Sequence, residues 1–189
     1  MKLLKKLQYN SPVVLTFSLL SFIVLIFGII TGGKSTSLLF CVYRSSLLDP
    51  LTYVRFFTHV LGHSSYSHYI GNILLILVAG PPLEEKYGSA TLVMAIVFTA
   101  FVSGLVQFIL FPNTALLGAS GIVFMMIVML SFSGMKAGKI PITLILVFVF
   151  YLGGEIVDGL SAKDNISQLT HIVGGICGAI MGFALAKRK

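Results

Sequence analysis

A serine, two histidines and an asparagine carry most of the chemistry available in the apolar stretches of this chain. Gly118-Ala-Ser120-Gly121 opens one run, His68-Tyr-Ile-Gly-Asn72 another, and Thr170-His171-Ile-Val-Gly174-Gly175-Ile-Cys-Gly178 a third. These types fit acyl transfer. A serine hydroxyl is a weak nucleophile that needs a base to take its proton, and His171 is the base expected at its level. In the first turn of a helix, Ser120 would have free backbone N–H groups and the positive dipole end beside it, which favour a developing oxyanion. His68 and Asn72 are four residues apart, hence on one helix face, and would add donors to that oxyanion. No carboxylate is placed to orient His171, so a dyad rather than a triad follows. Each motif alone has a plainer use: helix packing for Gly-x-Ser-Gly, and helix-to-helix hydrogen bonds for His68 and Asn72.

Other hydrolytic chemistries find less support. There is no His-Glu-x-x-His for a zinc protease. His59 and His63 have i, i+4 spacing but no acidic third ligand follows, so a loop-structural role is expected and no metal or cofactor is called for. Glu155 and Asp158 fall at the outer end of an apolar run and read as interface residues, not as an aspartic pair. Cys41 and Cys177 read as free thiols.

The elements that must position these groups are membrane helices. Over 189 residues, 57% are hydrophobic and only 10% charged, and the mean hydropathy is +1.00, against about 45–50% apolar and about 25% charged in soluble domains. Such a surface belongs in lipid. Apolar runs of the length a span needs, about 20 residues, together with two shorter ones, predict an all-α membrane protein of six spans. The spans fall near 13–31, 67–83, 90–111, 117–135, 140–157 and 168–186, in a single domain, with Pro81-Pro82 closing the second. The first run is too long, and lacks the cleavage signature, to be a signal peptide. Residues 31–66 form a long outer loop.

With six spans both termini share a side. The net charge of +7 does not point to nucleic acid: placing the termini inside puts Lys2, Lys5, Lys6, Lys86, Lys136, Lys139, Lys187, Arg188 and Lys189 in the cytoplasm and leaves Lys34, Arg44, Arg55 and Lys163 outside. That bias satisfies the positive-inside rule. The helices opened by His68, Ser120 and His171 then all run from outside to inside, so their first turns share one depth. Gly121, Gly174 and Gly178, with Gly118 nearby, would let the fourth and sixth helices approach closely enough to bring serine and imidazole together.

The sequence resembles the rhomboid family of intramembrane serine proteases from about Leu51 to Ala186. The resemblance rests on Arg55-Phe-Phe-Thr-His59 with His63, His68-x-x-x-Asn72, Glu84-Glu-Lys-Tyr-Gly88, Gly118-Ala-Ser120-Gly121 and His171-x-x-Gly174-x-x-x-Gly178. It implies a six-helix rhomboid-like bundle. It also implies Ser120 as nucleophile, His171 as base, an oxyanion hole from His68, Asn72 and the Ser120 N–H, no metal or cofactor, and transmembrane proteins in the bilayer as substrates. Two departures stand out: Val54 precedes Arg55 where the family often has tryptophan, and Phe124 replaces a tyrosine that stacks on the catalytic histidine. A non-catalytic module that binds or escorts transmembrane helices is the alternative, and it has no need for the full Ser120–His171–His68–Asn72 set. The short chain is expected in a prokaryotic cytoplasmic membrane, with substrate entering past the fifth helix near Phe150 and Tyr151.

Overall fold

A computed structural model describes residues 8–133, 139–147, 149 and 166–186. Among the described residues are eight α-helices, one 3₁₀ turn and one short two-stranded pairing. Helix α1 (Pro12–Ile30) starts with proline at a position where no amide hydrogen is needed, and Gly32 and Gly33, both at positive φ, follow its end. The segment after it, expected as a long outer loop and labelled the outer segment for that reason, is not a plain loop. It holds α2 (Lys34–Leu39), strand β1 (Val42–Tyr43), α3 (Pro50–Thr58) and a 3₁₀ turn over His59–Leu61. Asp49 caps α3, its carboxylate accepting the Leu51 amide, with Pro50 at the first helical position.

Helix α4 (Tyr66–Tyr87) is capped by Ser65, which accepts the His68 amide. It runs through Pro81 and Pro82 and ends at Gly88, whose φ of 83° turns the chain directly into α5 (Ser89–Leu110). The expected close at the proline pair is therefore wrong. Two prolines leave only the Leu77 and Val78 carbonyls without their helical donors. The turn beyond them is held by burial of Leu83 and Glu84. The Glu84 carboxylate accepts the amides of Val13 (3.0 Å) and Val14 (3.1 Å), the otherwise orphaned donors of the first turn of α1, and the Ser89 hydroxyl at 2.7 Å. Its role is to pin α1 to the α4–α5 hairpin.

Strand β2 (Ala115–Leu116) pairs antiparallel with β1, Val42 opposite Leu116 and Tyr43 opposite Ala115. Helix α6 (Ser120–Ser133) starts at Ser120 itself, so Gly118 and Ala119 precede the helix instead of opening it. Helices α7 (Ile142–Val147) and α8 (Ile166–Ala186) complete the elements. The remainder of the expected fifth span, with Phe150, Tyr151, Glu155 and Asp158, lies outside the described residues. The core is built by α1, α4, α5, α6 and α8, with Val14, Ile76, Leu83, Leu92 and Ile122 fully buried. Met125, Met126 and Met129 lie in the same core, as packing residues. Among the described residues three helices are long and apolar enough to cross a membrane, namely α1, α5 and, from Leu169, α8; α6 is a shorter apolar helix.

Candidate functional site

The first turns of α4, α6 and α8 come together at one end of the bundle. Gly118 takes φ of +125°, a conformation that suits glycine, and a Cβ there would lie 2.8 Å from both Cε1 and Nε2 of His68 and 3.8 Å from Nδ2 of Asn72. The imidazole and the amide thus sit against the backbone two residues before Ser120. Ser120 and His68 are half-buried, and Asn72 is buried. Among the described residues the Asn72 Nδ2 has no hydrogen-bond partner, an expensive state for a buried amide.

On the other side, α8 lies against α6 at glycine distance. A Cβ on Gly174 would lie 2.2 Å from the Gly121 carbonyl oxygen, and one on Gly178 2.4 Å from that of Met125. Gly182 continues the row against the Phe132 ring, and Gly121 in turn faces Thr170. These contacts bracket His171, one residue after Thr170 and three before Gly174, beside the residue that follows Ser120. The His171 ring stacks on Phe124 with centroids 4.2 Å apart and planes 10° from parallel. Phenylalanine therefore provides the stacking face without a hydroxyl. His171 is also close enough to His68 to interact electrostatically. The chain thus brings a hydroxyl at a helix N-terminus, two imidazoles and a carboxamide to one place, where the free amides of the first turn of α6 also point.

The outer segment fixes the strand that delivers Ser120. The Gly118 amide donates to the His59 carbonyl at 3.0 Å, while the His59 ring, fully buried, donates from Nε2 to the Ala100 carbonyl at 3.0 Å. Burial pushes the His59 pKa down to about 4. His63, its Nδ1 donating to the Leu61 carbonyl at 3.2 Å, packs edge-on to His68 with centroids 5.1 Å apart. Its pKa is lowered to about 4, mainly by burial and next by the charge of His68. The two histidines lie in the connection between α3 and α4, His59 opening its 3₁₀ turn. Among the described residues no three His, Cys, Asp or Glu side chains gather as a cation site.

Arg55 stays inside the outer segment: its Nε donates to the Leu38 carbonyl at 2.8 Å, its head pairs with Asp49 at 3.3 Å, and it covers the Tyr43 ring at 4.7 Å. Gln107 on α5 donates to the Thr114 hydroxyl at 3.0 Å, tying down the approach to β2. The β1–β2 pairing and the His59–Gly118 bond were not legible in the sequence. Two-residue strands carry no periodic signal, and a backbone bond leaves no trace in residue type.

The architecture defines a helical membrane protein with a hydroxyl–imidazole–carboxamide cluster at one end of a close-packed bundle. The model of the rhomboid domain matches residues 50–188. The chain belongs to the rhomboid family and is an integral membrane protein. It is 30% identical over 141 residues to Rhomboid-related protein 1 of Caenorhabditis elegans, covering 69% of this chain and 39% of that one. To the rhomboid protease GlpG of Serratia proteamaculans it is 31% identical over 133 residues, covering 68% and 47%. Rhomboid-related protein 2 of Mus musculus is 26% identical over 160 residues, covering 74% and 53%. The chain thus spans about half the length, or less, of these relatives.

Proposed function

We propose that this protein is an intramembrane serine endopeptidase that hydrolyses peptide bonds in or near transmembrane helices of other membrane proteins through a Ser120–His171 dyad. His171 takes the Ser120 proton as the hydroxyl oxygen attacks the scissile carbonyl, then returns it to the leaving amine. His68, Asn72 and the Ser120 amide donate to the tetrahedral oxyanion. Water then attacks the acyl-enzyme, with His171 again as base, and frees Ser120. The observation that carries this reading is the gathering of these groups around Gly118 and Gly121, with the Asn72 Nδ2 left without a partner among the described residues. An orphaned donor beside a helix N-terminus suits an oxyanion that exists only during reaction.

In this reading the bundle has six spans, with α7 beginning the fifth, both termini are cytoplasmic and the site opens to the outer face. Reaction of the full chain in detergent with a fluorophosphonate probe tests it. Labelling that maps to Ser120 and is lost in His171→Ala is the expected result. An unlabelled, folded protein that nonetheless retains transmembrane helices would establish the non-catalytic binding module.

A further inference from the structure

What His68 can do depends on how its ring is turned. A neutral imidazole carries one N–H donor and one lone-pair acceptor, and the hydrogen bond made by one nitrogen decides which of them the other presents. Turning the ring over exchanges Nδ1 with Cδ2 and Nε2 with Cε1. The contact with Gly118 does not choose between the two orientations, because a Cβ there would lie 2.8 Å from Cε1 and 2.8 Å from Nε2 alike. His63 packs edge-on at 5.1 Å between centroids, but its Nδ1 is given to the Leu61 carbonyl and its Nε2 has no partner among the described residues. One hydrogen bond breaks the tie. Ser64 Oγ lies 3.1 Å from Nδ1 of His68, and a ring turned over would set Cδ2 against that hydroxyl and lose the bond. The neighbouring serines are committed elsewhere: Ser65 Oγ caps α4 by accepting the His68 amide at 3.1 Å and lies 3.0 Å from Ser67 Oγ.

We propose that Ser64 is a positioning residue for the reaction: its hydroxyl donates to Nδ1 of His68, turns Nε2 toward the Gly118 backbone and fixes that nitrogen as the N–H that meets the oxyanion. The inference rests on the reading of His68 as an oxyanion donor. Two observations set the direction of the bond. Ser64 is exposed, so water satisfies its lone pairs and leaves its proton for Nδ1. Asn72 Nδ2 faces the same Gly118 position at 3.8 Å and has no hydrogen-bond partner among the described residues. A lone pair on Nε2 would be an acceptor beside that amide. Two N–H donors turned to one space instead leave each other unbonded, and both are satisfied only when an acceptor enters between them. Ser64 does not touch the reacting atoms; it acts through the ring.

The test is nitrogen NMR of the full chain in detergent, labelled at histidine and held above about pH 8, where an ordinary imidazole is neutral. The His68 signals are assigned by their loss in His68→Gln. The wild type should show His68 unprotonated at Nδ1 and protonated at Nε2. Ser64→Ala, which leaves the Ser65 cap of α4 in place, should mix the two tautomers. It should also lower kcat for a model transmembrane substrate about three- to tenfold, the reach of one neutral hydrogen bond, with KM unchanged. Ser64→Thr should restore both readouts. Ser67→Ala, which removes an exposed hydroxyl of the same turn that contacts only Ser65, should alter neither. A wild-type His68 protonated at Nδ1 would overturn the assignment. So would a Ser64→Ala protein with the wild-type signature, one whose signature changes while kcat stays, or an equal loss in Ser67→Ala. A wild type that neither cleaves nor labels at Ser120 would refute the endopeptidase reading and the part of Ser64 in it, and the His68 signature would still decide whether Ser64 sets the tautomer.

Discussion

Gly174→Ala is the sharpest perturbation the structure offers, because it adds one methyl group without touching a reacting atom. The added Cβ would sit 2.2 Å from the Gly121 carbonyl oxygen, 2.9 Å from its carbon and 3.0 Å from its Cα. All three are backbone atoms of a helix, so no side chain can swing aside. Ordinary contact begins at 3.4 Å, so the helices must part by up to 1.2 Å at this level. His171 lies one turn before Gly174 on α8 and Ser120 adjoins Gly121 on α6, so the displacement falls on the proposed dyad. A misplacement of about 1 Å costs on the order of 10²-fold in rate. Cleavage of a model transmembrane substrate in proteoliposomes, together with the rate of fluorophosphonate labelling, should fall by about that factor while the protein remains folded. Gly71→Ala is the control. It also lies in a helix, between His68 and Asn72 in sequence, yet a Cβ there meets nothing within 4 Å. It should keep its activity and gain about 0.5–1 kcal/mol of stability from helix propensity. A folded Gly174→Ala protein that cleaves at the wild-type rate would refute the claim that close α6–α8 approach sets the site.

The other predictions address single roles. Ser120→Ala and His171→Ala should both leave cleavage at background with little change in melting temperature, whereas Asn72→Ala should lose about 10²–10³ in kcat and stay measurable; a wild-type kcat with a lowered melting temperature would remove Asn72 from the oxyanion hole. Glu84→Ala strips an acceptor from two amides of α1 and from Ser89, and should destabilise by about 1.5–3 kcal/mol in thermal unfolding without altering kcat per folded molecule. The buried His59 has a folded pKa of about 4 against an ordinary 6.5, so the unfolded chain binds more protons between these values. Stability is therefore fully present above pH 6.5 and is lost as pH falls toward 4, by on the order of 3 kcal/mol from this group alone. Melting temperatures in detergent that stay level from pH 7 to 4.5 would contradict that burial.

What the sequence disclosed follows from how membrane helices are written. Apolar runs must be long and polar groups rare, so His68, Asn72, Ser120 and His171 stood out, and the glycines at 174 and 178 announced the α6–α8 contact that the structure displays. Termination was harder to read. Pro81 and Pro82 looked like a stop, but a helix tolerates them when the following turn is anchored from elsewhere, here by Glu84 reaching α1 across a sequence gap of 70 residues. Helix α3 carried its start signal in Asp49-Pro50, a cap followed by an N1 proline, yet sat inside a stretch read as a loop. Register within the outer segment had no signal at all, since its two-residue pairing depends on residues more than 70 apart.

That pairing alters how the site is understood. Ser120 is the first residue of its helix, and a helix end by itself frays. The residues leading to it are instead held from three directions: β2 pairs with β1, Gln107 grips Thr114 from α5, and the Gly118 amide bonds the His59 carbonyl. His59 is in turn held by Ala100, again on α5. His59 and His63 thus each direct one ring nitrogen to a backbone carbonyl, of Ala100 and Leu61, as Arg55 directs its Nε to that of Leu38. They make a rigid shoulder on α5 from which the serine is presented, while α8 carries His171 on the opposite side, held close to α6 by glycine contacts and by the Phe124 stack. Precision on one side comes from directional bonds and on the other chiefly from the absence of side chains. The two kinds of fixation should fail differently: breaking a shoulder bond loosens Ser120 gradually, whereas adding a single methyl at Gly174 forces a whole helix to move.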